Sequence, residues 1–192
     1  MEWIDEKKIR LGKTVNELDK FVLHFIRIVE RYVDYVIISG YVAILLGRSR
    51  ATEDVDLFIK PLEKEKFIKL YHELKEAGFW CLNAESDDEV YSYLKDNIAI
   101  RFADKGQSIP NLEVKFPKNR LDWDAFTDIV EVETKEGVIR ISSLEKQIAF
   151  KKYYLGSDKD LEDAKHLEEL FKEHLDKEKI KKYKELIKLE YG

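Results

Sequence analysis

Ile37-Ile38-Ser39-Gly40-Tyr41, followed by Arg50-Ala51-Thr52-Glu53-Asp54-Val55-Asp56-Leu57-Phe58-Ile59, is the stretch whose reading decides the fold. Residues 35–38 are aromatic and β-branched, so they read as a strand that breaks at Ser39-Gly40. Residues 41–46 read as a short apolar helix that Gly47 closes. Residues 54–59 read as a second strand. Side chains alternate faces along a strand, so Asp54 and Asp56 share one face while Val55, Leu57 and Ile59 share the other. The apolar face can pack on helices. The carboxylate face cannot be buried unpaired, because neighbouring anions repel and resist desolvation. A cation belongs there, and a hard divalent ion held by oxygen ligands is the natural candidate. Taken alone, two acids on an exposed strand face would look the same.

Three further groups bear on that site. The Ser39-Gly40 turn leads into a helix N-terminus, which offers free N–H groups and a favourable dipole to phosphate. A plain strand-to-helix turn would need Gly equally. Arg50, close to Thr52 and the aspartates, can take phosphate in a bidentate fork, and a surface salt bridge to Glu53 is its alternative. Residues 112–116 alternate as a strand whose apolar Leu112, Val114 and Phe116 leave Glu113 and Lys115 on the other face. Glu113 is the candidate third carboxylate; Glu131 and Glu133 have the same alternation and stand as runners-up.

The strand, Ser-Gly turn, short helix and Arg-x-Thr-x-Asp-x-Asp together resemble the signature of the DNA polymerase β-like nucleotidyltransferase superfamily. The similarity is to its small prokaryotic members of the abortive-infection or minimal nucleotidyltransferase-like type, including those used as toxins. It covers roughly residues 36–116, and a bare Asp-x-Asp carries much less than the combined pattern. Ser39-Gly40 stands where that family usually has Gly-Gly, and Glu113 where Asp is more frequent. A second echo lies in Lys151 and Lys159-Asp160-x-x-Asp163, which resemble the family's C-terminal helical motif. There a helix-borne Lys and a Lys-Asp pair lie near the nucleotide; an ordinary charged helix start is the alternative.

The resemblance implies an α+β nucleotidyltransferase fold, a mixed sheet with helices on one face. It divides the chain into a nucleotidyltransferase domain at 1–141 and a C-terminal helical extension at 142–192 packed on it. It implies one or two Mg²⁺ ions on Asp54, Asp56 and Glu113, with Ser39, Gly40, Arg50, Thr52, Lys151 and Lys159 holding the nucleotide. The implied reaction moves a nucleoside monophosphate from an NTP, ATP included, to a hydroxyl of an RNA, a protein or a small molecule. Two non-enzyme readings stand beside it. One is a degenerate domain that binds nucleotide without turnover; the other is a module that binds a cognate toxin or antitoxin protein.

The 192 residues suffice for one domain with a real core, and 44% hydrophobic with 38% charged residues is an ordered, globular composition. The many Lys and Glu residues fit a thermophile. A net charge of -5 supplies no global basic field for nucleic acid, so phosphate contacts must come from local Arg and Lys. The single cysteine, Cys81, excludes an internal disulfide, and no apolar run spans a membrane, so a cytoplasmic location is expected. His24, His72, His166 and His174 show no ligand spacing, and no zinc site is expected.

Along the chain, residues 1–13 carry no clear pattern. Thr14-Val15-Asn16-Glu17 reads as a capping box opening an amphipathic helix to about residue 32. A charged helix is expected at 62–77, a short strand at 79–82, an acidic loop at 83–89, strands at 98–102 and 112–116, and a hairpin around Lys135-Glu136-Gly137. Three helices follow, opened by residues 142–145, by Ser157 and by about Lys177. Trp80, Tyr91 and Tyr93 are candidates to stack a base, with core packing as the alternative.

Overall fold

The computed structural model describes residues 1–191. Its strands are β1 (Glu2–Asp5), β2 (Lys8–Arg10), β3 (Tyr35–Ile37), β4 (Asp54–Ile59), β5 (Phe79–Cys81), β6 (Ile100–Asp104), β7 (Asn111–Lys115), β8 (Ile129–Glu133) and β9 (Val138–Ser142). The helices are α1 (Glu17–Val29), α2 (Gly40–Leu45), α3 (Lys64–Glu76), α4 (Asp87–Lys95), α5 (Arg120–Trp123), α6 (Leu144–Phe150), α7 (Asp158–Leu170) and α8 (Lys177–Tyr191). All nine strands form one mixed sheet in the order β1-β2-β8-β9-β3-β4-β7-β6-β5. β4 and β7 run parallel, as do β3 and β9 and β2 and β8; the remaining pairs are antiparallel. No helix among the described residues is long and apolar enough to cross a membrane.

One face of the sheet is dry. Val55, Leu57 and Ile59 of β4 join Leu112 and Val114 of β7, Phe25 of α1 and Leu70 of α3 in the main core. The C-terminal helices share that core through Leu144, Ile148, Ala164 and Leu167. The opposite face carries a smaller cluster, in which Val36 and Phe58 meet Ala125 from a 3₁₀ turn that follows α5. Around Asp54 and Asp56 this second face stays open.

Several local expectations change. Helix α1 is capped by Asn16, not Thr14: Asn16 accepts from Asp19 N at 2.8 Å, and Asp19 accepts from Asn16 N at 3.2 Å. Asn is the stronger cap, and Asp19 gains further bonds from Tyr41 Oη at 2.8 Å and Lys13 Nζ at 3.1 Å. Residues 83–89 are only partly loop, because Ser86 caps α4 and the acids Asp87, Asp88 and Glu89 occupy its first turn. Their charge looked loop-like, yet it complements the helix dipole. Within residues 1–13, β1 and β2 form a β-ribbon, whose β2 adds parallel to β8. Helix α6 is capped by Ser143 and runs into a π-helical turn, residues Lys151–Leu155, closed by Gly156 in the left-handed region.

Candidate active site

β3 and β4 fix the centre. After β3 the pairing continues one residue further, with Ile38 N donating to Asp56 O at 3.0 Å. This holds Ser39 beside the second aspartate. Ser39 has φ 66° and ψ -144°, a conformation ordinarily left to glycine, and its hydroxyl caps nothing. Such a backbone costs on the order of 1–3 kcal/mol, which the surrounding packing must offset. Gly40 then opens α2 directly beneath the Arg50 guanidinium, so a Cβ at residue 40 would strike that guanidinium.

The parallel β4–β7 register sets Asp54 opposite Asn111, Asp56 opposite Glu113 and Phe58 opposite Lys115. Glu113 therefore shares the open face with both aspartates. Lys115 Nζ lies between the acids, 2.9 Å from Asp56 Oδ1 and 2.6 Å from Glu113 Oε1. Arg101 Nε on β6 adds a bond to Glu113 Oε2 at 3.0 Å. Burial raises the Asp56 carboxyl above its usual range, Lys115 pulls it back in part, and Glu113 and Asp54 push it up again. Burial also works against charge on Glu113, but Lys115 and Arg101 outweigh it and hold that carboxyl low. Lys115 itself is desolvated, yet its two acids keep it raised. Asp54 is more exposed, and Thr52 Oγ1 donates to its backbone oxygen at 2.9 Å.

These donors suit a divalent cation in part. Asp54 and Asp56 are two carboxylates at alternate strand positions, the number Mg²⁺ takes from protein when phosphate oxygens and waters supply the rest. Among the described residues no three metal-ligating side chains converge. Glu113 is held by Lys115 and Arg101, and it joins such a set only if Lys115 moves aside.

Two of the cationic residues expected at the nucleotide, Arg50 and Lys151, meet at one acid, while Lys159 lines a polar recess with Gly40 and Asp54. Asp163 of α7 has no exposed surface. Arg50 Nε and Nη2 donate to it at 3.0 and 2.9 Å, Arg48 Nε at 3.0 Å and Lys151 Nζ at 3.0 Å. Burial disfavours its charge, but hydrogen bonds from Arg50 and Lys151 prevail and lower its carboxyl below the usual range. Lys151 is fully buried and also reaches Asp160 at 3.7 Å. This cluster ties α7 and the π-helical turn to the segment that carries the aspartates.

Two recesses meet at Ser39. The smaller, about 340 Å³, is polar and lined by Gly40, Arg50, Thr52, Asp54, Lys159 and Asp160. The larger, about 490 Å³, begins at Asp56 and Lys115 and runs under α5, α6 and α8 past Lys146, Phe150, Tyr154 and Tyr191. No residue pattern signals this second recess, because its walls come from helices whose faces read as ordinary core. Glu131 and Glu133 lie on β8, three strands from β4, and engage Arg140, Lys8 and Arg10. Trp80, Tyr91 and Tyr93 line neither recess; Tyr91 packs on Phe67, and Trp80 Nε1 donates to Gln107 O.

No protein-family model matches the sequence, and no curated protein matches it. Solved structures do. The antibiotic-resistance factor ANT(2'')-Ia superposes with a TM-score of 0.55 at 16% identity, over 90% of this chain and 91% of that one. The lincosamide antibiotic adenylyltransferase LnuA, solved with lincomycin bound, gives a TM-score of 0.52 at 17% identity, over 82% of this chain and 99% of that one. An antigenic nucleotidyltransferase-like protein from Paracoccidioides brasiliensis gives 0.50 at 14% identity, over 88% and 86%. Identities this low speak to architecture and leave function to the site. The chain has the mixed-sheet fold of these nucleotidyltransferases, with nine strands and eight α-helices among the described residues.

Proposed function

We propose that this protein is a Mg²⁺-dependent nucleotidyltransferase that moves a nucleoside monophosphate from an NTP to a hydroxyl and releases pyrophosphate. The observation that carries the reading is the register of β4 and β7, which puts Asp54, Asp56 and Glu113 on one open face beside the Ser39-Gly40 turn. Bound Mg²⁺ supplies charge neutralisation for the phosphates and a lower pKa for the attacking hydroxyl. Asp54 and Asp56 would hold the Mg²⁺, through which the α-phosphate would be oriented. Ser39, Gly40, Thr52 and Lys159 receive the pyrophosphate portion in the smaller recess. Glu113 takes the proton of the incoming hydroxyl once Lys115 has turned to the phosphates. Arg50 and Lys151 act from behind, by holding α7 against the β4 segment through Asp163.

A small hydroxylated molecule is the preferred acceptor over an RNA end or a protein side chain, in keeping with the antibiotic adenylyltransferase among the structural neighbours. One observation favours a second reading, a domain that binds nucleotide without turnover: Lys115 occupies the space between Asp56 and Glu113 where a divalent ion would sit. Incubation with each α-³²P-labelled NTP, Mg²⁺ and fractionated small-molecule, RNA and protein extracts separates the two. Transfer of label to one fraction supports the enzyme; tight NTP binding with no label transferred from any NTP supports the second reading.

A further inference from the structure

We propose that the larger recess is the acceptor subsite, and that it takes an acceptor with an apolar or planar body and an anionic group held by Lys118 and Lys146. The inference rests on the transfer reaction proposed above and names the chemistry of its second substrate.

The two recesses divide the Asp-x-Asp run between them: Asp54 lines the smaller and Asp56 the larger, with Ser39 common to both. Displacement at phosphorus proceeds in line, with attacking and leaving oxygens on opposite sides. With pyrophosphate leaving into the polar recess, the larger recess at Asp56 is the space left for the incoming hydroxyl.

The charges on the larger recess are unequally committed. Lys115 is shared by Asp56 and Glu113, and Lys151 is bound to Asp163. Lys118 and Lys146 also line it, and neither makes an ion pair among the described residues. Lys146 is 5% exposed; its ammonium donates to Leu121 O and lies 5.6 and 5.7 Å from the Phe150 and Tyr183 ring centroids. Asp122, Asp124 and Asp128 face it at longer range, and burial still drives it down to about 8. A buried ammonium without a close counter-ion is costly, and an anion entering the recess would relieve that cost. The body of the ligand has its own seat. The π-helical turn that sends Lys151 inward also brings Tyr154 to the recess, where its ring meets Tyr191 of α8 with centroids 4.3 Å apart. Both tyrosines keep at least 40% exposure, enough free ring surface for a planar ligand.

A matched pair of probes tests this without any turnover. 8-Anilinonaphthalene-1-sulfonate and N-phenyl-1-naphthylamine share one ring system and differ by the sulfonate. The sulfonate probe should bind the folded protein at one site at least about tenfold more tightly than the neutral one. Lys146→Met should bring the two affinities together, and Lys118→Met, on the exposed rim, should narrow the gap without disturbing the fold. Mg²⁺–ATP should not compete with the bound sulfonate probe. Equal affinities, a preference unchanged in both variants, or competitive displacement by Mg²⁺–ATP would overturn the assignment, the last by giving the recess to the nucleotide. Loss of the transfer activity itself would leave these binding results standing and would count against the proposed reaction alone.

Discussion

Asp56 and Glu113 stand opposite each other on adjacent parallel strands, and the Lys115 ammonium lies between them at 2.9 and 2.6 Å. Removing that cation leaves two half-buried acids facing each other. Lys115→Met should cost about 2 kcal/mol in the presence of a chelator, a drop of several degrees in Tm. Millimolar Mg²⁺ should recover most of the loss. A variant equally stable with and without Mg²⁺ would show that the acids do not form a cation site.

Glu113→Gln keeps the size of the side chain and removes its charge. NTP affinity should change by less than about threefold, while the transfer rate falls by about 10²-fold or more, the usual scale for a proton-transfer group. Isothermal titration with Mg²⁺–NTP and initial rates separate the two effects. Equal losses in both would make Glu113 a general binding charge.

At Gly40 the obstacle to a side chain is Arg50, and Arg50 is committed to Asp163. Gly40→Ala should therefore destabilise by about 2 kcal/mol by dislodging a hydrogen-bonded charge. In an Arg50→Ala background the same change should cost much less. A double-mutant cycle in urea reads the coupling; strictly additive effects would show that Arg50 is not the obstacle.

Asp163 predicts the pH response. Its carboxyl is held below the value near 3.9 it would have unfolded, so it contributes stability above about pH 4 that is lost as pH falls through its native value. Urea midpoints measured from pH 5 down to pH 2.5 should fall more steeply for the wild type than for Asp163→Asn. Asp163→Asn should itself cost about 3–5 kcal/mol at pH 7, because Lys151 is left buried without its partner. Parallel pH profiles would place the depressed carboxyl elsewhere.

The centre of the fold was legible because β4 alternates cleanly and because a glycine turn follows β3. The parity of Leu112 and Val114 likewise placed Glu113 on the aspartates' face before its register with Asp56 was known. What could not be read were partners supplied by distant segments. Arg50 reads as a phosphate ligand from Thr52 and Asp54 beside it, and it does line the smaller recess, but its bond to Asp163, more than a hundred residues on, has no local signal. Lys115 looked like a neighbour of Glu113 alone, and only the β4–β7 pairing brings it to Asp56. Helix α4 was hidden by its acidic first turn, and the π-helical turn after α6 has no signature in a sequence whose 3.6-residue period simply continues.

The most direct measurement is transfer of the α-phosphate label from a saturating NTP, with Mg²⁺, by the wild type and by Asp56→Asn. The wild type should release pyrophosphate and label an acceptor, and Asp56→Asn, folded and of unchanged or higher stability, should be slower by at least about 10³-fold. Transfer by Asp56→Asn at the wild-type rate would contradict a catalytic site built on the open face of β4.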